Sequence, residues 1–260
     1  SFICTLSASK VRFSLLYLLK YLYRRPQHLI IRFFSYIFSR KINVVEMDNV
    51  LIVSPHPDDE IFGCANLIYT LSKLGNRVNI IYLSRGEASL PSSCIDKRQL
   101  IETRKELAIR ANSVLGMDSC NLFFLDFPDG KFKNVSSDQV NKFQEIIERI
   151  NPQYVFYPHP YDGSPDHSAA TKYVRDVIEG KNIKQYYYCV WLWHHMPLYK
   201  VFLLNYFQSY YIYGDLSLKK EAIDIYVKAL TESGLPYSGT LPKMFLKAIY
   251  WKKELFFKVV

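Results

Sequence analysis

The stretch Asn49-Val50-Leu51-Ile52-Val53-Ser54-Pro55-His56-Pro57-Asp58-Asp59-Glu60 joins an apolar run to a cluster of ionisable side chains. The apolar run predicts a buried strand, and a helical pattern begins near Glu60. Removing one imidazole and three carboxylates from water is costly unless a cation compensates for their charge. His56 and Asp59 lie three residues apart and can point at one divalent ion, which leaves Asp58 free for proton transfer.

Strand and helix candidates alternate along the chain on the C-terminal side of this stretch. Strands are predicted over residues 50–54, 78–84, 122–125, 154–157 and 186–192, and helices over 61–74, 97–115, 138–150, 168–179 and 218–230. Several strands are continuous apolar runs, which is typical of a parallel sheet covered on both faces. The pattern predicts a Rossmann-like α/β fold with a largely parallel sheet and helices on both faces. In such folds ligands bind at the carboxyl ends of strands, which is where His56 to Asp59 lie.

A second polar cluster, His159-Pro160-Tyr161-Asp162-Gly163-Ser164-Pro165-Asp166-His167, follows the fourth predicted strand. If the two strands are neighbours in the sheet, His167 can complete a metal site with His56 and Asp59. Two imidazoles and one carboxylate with an open position are typical of catalytic zinc, although another divalent metal would also fit. The alternative is that His167 caps a helix and His56 is a hydrogen-bonded turn residue.

With both motifs in place, the sequence resembles the PIG-L/LmbE-like de-N-acetylase family, zinc enzymes that remove acetyl groups from N-acetylated amino sugars. The resemblance covers roughly residues 49–193 and rests on residues 55–60 and 165–167. It implies an LmbE-like fold for this part of the chain. Weaker matches are Arg85-Gly86-Glu87, Thr103-Arg104-Lys105-Glu106-Leu107, Leu115-Gly116, Phe124-Leu125, Asp129-Gly130 and Val190-Trp191.

The resemblance also implies roles for individual residues. His56, Asp59 and His167 would bind zinc, and Asp58 would be the general base for a metal-bound water that attacks the acetyl amide. Asp166 would orient a neighbouring ligand or acid. These roles predict a zinc-dependent hydrolase that removes the N-acetyl group from a GlcNAc-type glycoside, which could be lipid-linked or part of a polysaccharide.

The sequence departs from the family pattern at two places. Many members have histidine at the position of Ser164, where it is thought to stabilise the oxyanion or protonate the leaving amine. Serine cannot carry a positive charge, so that role is either absent or taken by another residue. His159 is the first candidate because it too follows a strand, although it could equally be a loop histidine. The second departure is Cys64-Ala65-Asn66, where the family usually has a glycine pair.

Five residues are predicted to contact the substrate. Arg85 and Glu87 follow the second strand, where a sugar hydroxyl or a phosphate could dock, and a solvated turn is the alternative. His194 lies at the far end of an aromatic stretch that is otherwise a buried strand. Asp162 and Ser164 belong to the loop that leads to His167.

Both ends of the chain are basic and aromatic, and the net charge is +9. Residues 1–46 are predicted to be a basic amphipathic helical extension, divided at Pro26, with no acidic residue before Glu46. Residues 47–236 form the predicted deacetylase domain, and residues 237–260 form a basic aromatic tail. The extensions fit an anionic membrane surface. They fit equally well a helical hairpin packed on the domain or on a second subunit, as in a homo-oligomer.

The remaining composition limits the alternatives. Five widely spaced cysteines without a CxxC pair indicate reduced thiols, and hence a cytoplasmic protein, peripheral on the inner membrane face if its ends bind lipid. The basic residues flank the motifs instead of lining them, so nucleic acid is not the expected partner and a phosphoesterase or nuclease is a weak alternative. Because of Ser164, a catalytically weak, metal-containing carbohydrate-binding protein remains a further hypothesis.

Overall fold

The computed structural model describes residues 27–260, and the strands of this part of the chain form one eight-stranded sheet. They are β1 (Arg40–Lys41), β2 (Asn49–Ser54), β3 (Arg77–Ser84), β4 (Leu122–Phe127), β5 (Tyr154–Pro158), β6 (Lys184–Tyr188), β7 (Ser209–Tyr213) and β8 (Lys253–Lys258). The order across the sheet is β1-β7-β8-β6-β5-β2-β3-β4. Neighbours from β6 to β4 are parallel, as are β1 and β7, whereas β8 runs antiparallel to both β6 and β7.

Helices cover both faces of the sheet. They are α1 (27–38 within the described residues), α2 (Asp59–Lys73), α3 (Lys97–Val114), α4 (Ser137–Ile150), α5 (Pro165–Ile178), α6 (Leu192–His195), α7 (Leu198–Val201), α8 (Leu216–Val227) and α9 (Lys243–Ile249). Alternate residues of β2 pack into two separate apolar layers: Val50 and Ile52 with α2, α3 and α8, and Leu51 and Val53 with α4 and α5. The predicted α/β fold with a largely parallel, doubly covered sheet is confirmed.

The predicted strand over 186–192 is shorter in the structure. β6 ends at Tyr188, and the chain turns into α6 at Leu192. The buried carboxylate of Asp162 accepts hydrogen bonds from the backbone N–H groups of Val190 (3.0 Å) and Leu192 (2.7 Å). These two bonds take the place of sheet partners, so the strand ends where the loop after β5 crosses it.

The C-terminal segment is built into the sheet. The sequence pattern predicts a basic aromatic tail over 237–260, but this segment forms α9 and then β8, which lies between β6 and β7. Leu255, Phe256 and Phe257 are buried, as are Lys253 and Glu254. The segment therefore contributes an internal strand of the sheet and is not a surface extension.

Only part of the predicted N-terminal extension falls within the described residues. The predicted division at Pro26 and the helix before it lie outside them. α1 packs Ile31 into a cluster with Leu192, Trp193 and Phe257. No helix in the described part of the chain is both long enough and apolar enough to cross a bilayer.

Candidate active site

The two polar motifs meet because β2 and β5 are parallel neighbours in the sheet. The carboxyl ends of parallel strands lie at one edge, so the loop after β2 and the loop after β5 emerge side by side. The rings of His56 and His167 consequently lie 5.5 Å apart, although Asp166, the residue before His167, is 110 positions from His56 in the sequence. The neighbouring-strand arrangement on which the predicted metal site depends is present.

Two imidazoles converge on a single carboxylate oxygen, and together they make three potential metal ligands. Asp59 Oδ2 lies 3.0 Å from His56 Nδ1 and 3.1 Å from His167 Nε2, and the three donor atoms fall within 4.8 Å of one another. His167 Nε2 is buried and has no hydrogen-bond partner in the described structure, despite its short distance to Asp59. A buried ring nitrogen without a partner is costly unless a ligand occupies the space in front of it. Two nitrogens and one oxygen are a donor set that zinc accepts.

The surroundings of His167 favour a cation. Its other ring nitrogen, Nδ1, lies 2.6 Å from Asp162 Oδ2, and both side chains are fully buried. Burial opposes protonation of the imidazole, but the carboxylates of Asp59 and Asp162 raise the pKa of His167 to about 9. The same two carboxylates would favour a metal cation in place of this proton, and the Asp162 contact fixes which nitrogen of His167 faces Asp59.

His56 is oriented from its far side by two carboxylates. His56 Nε2 lies 3.1 Å from Asp129 Oδ1 and 3.3 Å from Asp166 Oδ2. Asp166 also accepts the backbone N–H groups of Gly130 (2.7 Å) and Phe132 (3.2 Å), so it ties the loop after β4 to the start of α5. Burial acts to raise the pKa of Asp129, but the hydrogen bond and charge of His56 outweigh it and the pKa is lowered. Both carboxylates therefore hold the imidazole with Nδ1 towards Asp59.

Asp58 has a strained backbone, with φ at 138°, a region that L-amino acids seldom adopt. Its carboxylate is buried and accepts a hydrogen bond from Arg104 Nη2 at 3.0 Å. Burial raises the pKa of Asp58 to about 6, against the opposing effect of the Arg104 charge. The same guanidinium donates to the carbonyl oxygens of Pro57 and Tyr237. Arg104 thus holds both the turn and the side chain of the predicted base.

Glu60 supports the turn from beneath. It is fully buried, and its Oε2 accepts the backbone N–H of Asp58 at 3.0 Å. Its Oε1 accepts hydrogen bonds from Tyr82 (3.0 Å), Tyr226 (2.9 Å) and Asn112 (3.2 Å). Burial raises the pKa of Glu60 to about 7 in spite of these donors. Glu60 is therefore a positioning residue for Asp58, a role that the sequence pattern does not reveal.

Gly86 makes room for Arg104 in the loop after β3. It has a φ of 72°, and a Cβ atom at this position would overlap the Arg104 guanidinium. A side chain here would both strain the backbone and displace Arg104 from Asp58. This explains in physical terms why glycine stands in the Arg85-Gly86-Glu87 turn.

The metal cluster opens into a cavity of about 320 Å³, which is within the range of small-ligand sites. Asp58 and Ser164 line it beside the potential metal ligands. Its outer wall includes Trp191, whose ring stacks on Phe245 at 4.1 Å. Further residues that line the cavity are Phe62, Ala88, Ser89, Arg104, Asp129, Gly130, Pro165, Asp166, Ser238 and Leu241.

Two of the predicted site residues, Asp162 and His159, do not line the cavity. Asp162 is fully buried beside His167 and both of its carboxylate oxygens are hydrogen-bonded, so its position favours orienting His167 over contacting substrate. His159 packs its ring against Tyr187 and Phe257, each about 5.2 Å away, and its Nδ1 accepts the backbone N–H of Tyr161. Burial lowers the pKa of His159 to about 4, so it is neutral at physiological pH. His159 therefore faces the core and does not line the cavity, and its role in place of the family histidine stays a prediction.

Three further predicted substrate residues, Arg85, Glu87 and His194, do not line the cavity beside the metal cluster. Arg85 is exposed and lines a separate small cavity with Pro57. Glu87 braces the loop after β4, since its Oε1 accepts the backbone N–H of Asp129 at 3.1 Å. His194 lies in α6 with its ring 6.1 Å from that of Trp191. Of the predicted substrate residues, Ser164 lines the cavity.

The comparison with protein families bears on this same segment. Residues 51–178 match the family described as PIG-L, GlcNAc-PI de-N-acetylase. This segment belongs to the PIG-L family. The matched residues include both halves of the metal cluster, from His56 to His167, together with Arg104 and Asp129.

Curated proteins similar to this chain include two deacetylases. The "Probable N-acetyl-alpha-D-glucosaminyl L-malate deacetylase 2" of Bacillus subtilis (strain 168) is 28% identical over 137 residues, which are 47% of this chain and 57% of the relative. The "Diacetylchitobiose deacetylase" of Thermococcus kodakarensis is 27% identical over 128 residues, 48% of this chain and 47% of the relative. The chain thus spans about half the length of the curated relatives it matches.

A solved structure supports the fold over a longer region. The N,N'-diacetylchitobiose deacetylase from Pyrococcus horikoshii superposes with a TM-score of 0.58 and 16% sequence identity. The match covers 78% of this chain and 74% of that protein. The LmbE-like architecture predicted from the motifs is therefore confirmed.

Proposed function

We propose that the protein is a metal-dependent hydrolase that removes the N-acetyl group from an N-acetylated amino sugar. The observation that carries the proposal is the convergence of His56 Nδ1, Asp59 Oδ2 and His167 Nε2, where His56 and Asp59 line the same cavity as Asp58. Zinc, or another divalent cation, would be held by these three atoms. When bound, it would polarise the amide carbonyl and lower the pKa of a water molecule.

Asp58 is the proposed general base. Its carboxylate lines the cavity next to Asp59, and Arg104 and Glu60 fix its orientation from opposite sides. A base held in this way can take the proton of the water that attacks the acetyl carbon. The strained backbone of Asp58 persists because these contacts determine its position.

Asp58 is also the proposed source of the proton for the leaving amine. Ser164 lines the cavity at the position where many members of the family carry histidine. A serine hydroxyl is neutral at physiological pH and is a poor source of a proton for the amine. As the C–N bond breaks, the proton that Asp58 received from water passes to the sugar nitrogen, and the acetyl group leaves as acetic acid, which ionises to acetate in water. The carboxylate is then restored, so the proton balance closes with one residue.

The proposed substrate is an N-acetylglucosaminide. The names of the two curated relatives refer to an N-acetylglucosaminyl malate and to diacetylchitobiose, which share this sugar. Trp191 offers a flat apolar surface on the cavity wall, on which a pyranose ring could stack.

Four described cysteines, Cys64, Cys94, Cys120 and Cys189, are free thiols, which supports our further proposal of a reducing, cytoplasmic compartment.

Acetate release tests the proposal directly. The purified zinc-loaded protein would be incubated with GlcNAc, a GlcNAc glycoside and diacetylchitobiose, and free amine and acetate would be measured. Asp58→Asn should lower the rate by a factor of about 10² to 10⁴ while the bound zinc remains. Asp138→Asn removes an exposed carboxylate at the start of α4 and should leave the rate unchanged. Equal rates for wild type and Asp58→Asn would refute the mechanism.

Ser164 also favours a second candidate, a metal-containing carbohydrate-binding protein with little activity. It predicts that the sugars bind with zinc present and that no acetate is released. For this candidate, Ser164→His should produce acetate release that the wild type lacks. Turnover by the wild type that requires Asp58 would exclude this candidate.

A further inference from the structure

An extended apolar surface lies on α1 and the segment after α7. Phe33, Tyr36 and Ile37 of α1 are 61%, 81% and 52% exposed. The neighbouring side chains of Phe202 and Phe207 are also exposed, and they contact α1 through Phe34 and Phe38, with ring centroids 6.1 and 5.0 Å apart. We call these five exposed residues the apolar surface. Five large apolar side chains exposed on neighbouring segments differ from the single exposed apolar residues of an ordinary surface, and such clusters mark interaction sites.

A cavity of about 480 Å³ opens beside this surface between α1, α9 and the start of α8. We call it the α1–α9 cavity. Leu29 lines the cavity and is itself 56% exposed, so the cavity and the apolar surface are continuous along α1. The floor includes Trp251 and Tyr250.

The charge of the α1–α9 cavity has one sign. Arg32, Lys247 and Lys252 line it, and none of the described residues that line it is acidic. Arg32 lies over the ring of Trp251, 4.5 Å from its centroid, and donates to the carbonyl oxygen of Lys247 at 3.1 Å. The guanidinium is therefore held in a fixed orientation at the cavity wall.

Two nitrogen atoms of this wall lack acceptors. Arg32 Nε and His28 Nε2 are buried and have no hydrogen-bond partner in the described structure. His28 is only 5% exposed, and its pKa is lowered to about 4 by burial and by the charges of Arg32 and Lys247. Arg32 Nε is a buried donor without an acceptor, and so is His28 Nε2 in the tautomer that carries its proton there; the oxygens of a phosphate group would satisfy both. The cavity thus has the chemistry of an anion site, with apolar surface next to it.

The charge also discriminates among possible occupants. Residues 1–26 of the chain carry Lys10, Arg12, Lys20, Arg24 and Arg25 and no acidic residue, so they would add charge of the same sign. A second copy of the chain brings a net charge of +9. A bilayer that contains anionic phospholipid supplies both the phosphate and the apolar phase. We propose that the α1–α9 cavity binds the phosphate headgroup of an anionic lipid while the apolar surface inserts into the bilayer interface.

This docking would place the candidate active site close to the bilayer. α9 separates the two cavities: Phe245 stacks on Trp191 of the active-site wall, whereas Met244 and Lys247 line the α1–α9 cavity. The lipid site is independent of the proposed deacetylation, because it shares no lining residue with the catalytic cavity.

Vesicle flotation with the full chain tests the proposal. Vesicles of phosphatidylcholine alone would be compared with vesicles that also contain phosphatidylglycerol. Lys247→Gln with Lys252→Gln changes two exposed residues, and each lost charge should weaken binding to anionic vesicles about fivefold, or about thirtyfold together. Phe33→Ser with Ile37→Ser should weaken it about tenfold or more. Lys142→Gln on α4 and Leu74→Ser after α2 are the matched exposed controls and should bind like wild type.

Each other outcome would overturn the proposal. Equal binding to neutral and anionic vesicles would exclude recognition of an anionic headgroup. If both double variants bind like wild type, the membrane contact would be assigned to residues 1–26. Titration with inorganic phosphate tests whether the ligand is a soluble anion. The site would bind a free anion if Lys247→Gln weakens phosphate binding and the two serine substitutions leave vesicle binding unchanged. Sedimentation of a dimer that Phe33→Ser dissociates would make the surface an interface between copies. In every arm, acetate release from a soluble glycoside by the lysine variants should equal that of wild type.

Discussion

At the scale of single residues, Asp58 shows how the site holds a reactive group in position. Its positive φ would cost roughly 1–3 kcal/mol in an isolated turn. Glu60 compensates by accepting its backbone N–H, and Arg104 by binding its carboxylate. Both supporting groups are themselves buried and hydrogen-bonded, so the strain is distributed into the core and not relieved by movement of the turn.

Asp162→Asn distinguishes an orienting residue from a substrate contact. The asparagine oxygen can still accept from Val190 and Leu192, but its NH₂ group cannot accept a hydrogen bond from His167 Nδ1. We expect zinc affinity to fall by about 10- to 100-fold, measured by competition with a chelator. At saturating zinc the KM for sugar should stay within about twofold of wild type. A raised KM with unchanged zinc affinity would restore the predicted substrate role of Asp162.

The same residues show how far sequence reasoning reaches. His56, Asp58, Asp59 and His167 are recognisable because each lies in a short motif directly after a predicted strand. Arg104 contacts Asp58 across 46 residues, and nothing in the local pattern of α3 indicates which of its faces meets the turn. His159 shows the limit of such motifs, since a position after a strand does not decide whether the ring faces the cavity or, as here, the core.

At the scale of elements, β8 is joined to the helices by a buried ion pair. Glu254 lies 3.0 Å from Lys219 of α8, and its two oxygens accept the backbone N–H groups of Asn66 and Leu67 in α2. Burial raises the pKa of Glu254, although Lys219 opposes the shift. The departure from the family at Cys64-Ala65-Asn66 thus coincides with the place where α2 receives this carboxylate.

Lys219→Met should be strongly destabilising. It leaves the Glu254 carboxylate buried without its counter-charge, which typically costs about 3–5 kcal/mol. Urea unfolding followed by circular dichroism would measure the loss. Lys220→Met changes the exposed neighbour on the same helix and should cost less than about 1 kcal/mol. Similar losses for the two variants would show that the ion pair does not stabilise the junction.

The docking of α1 should weaken in acid. Burial and the charges of Arg32 and Lys247 lower the pKa of His28 from 6.5 to about 4 in the folded state. Between these values the unfolded chain binds the extra proton, so the free energy of unfolding falls as the pH is lowered from about 6.5 to 4. The contribution of His28 amounts to about 3 kcal/mol at most. Below pH 4 both states are protonated, and this loss stops.

His28→Gln is the matched control for this pH dependence, because glutamine has no charge at any pH. Urea unfolding at pH 7 and at pH 4 would give the loss of stability for each protein. Wild type should lose up to about 3 kcal/mol more than the variant over this interval. Parallel losses in the two proteins would mean that other groups are responsible.

At the scale of the whole molecule, the parallel part of the sheet is predictable and its far edge is not. β2, β3, β4 and β5 are apolar runs between amphipathic helices, so their existence and parallel pairing follow from the pattern. β8 reads Lys-Glu-Leu-Phe-Phe-Lys, a short segment with charges at both ends that resembles a surface tail. Its insertion between β6 and β7 depends on contacts with segments far away in the sequence, which local periodicity does not encode.

Removal of β8 tests whether the C-terminal segment is an essential strand of the sheet or a surface tail. β8 pairs with β6 on one side and β7 on the other, and Leu255, Phe256 and Phe257 are buried between the helices. Burying three such side chains contributes about 5–9 kcal/mol, which is comparable to the whole stability of a typical domain. A chain that ends after Lys252 should therefore lose its cooperative thermal transition, whereas deletion of Val260 alone, which is 99% exposed, should leave it unchanged. Retention of both the transition and zinc binding by the shorter chain would show that the fold does not need β8 and that the segment acts as a tail.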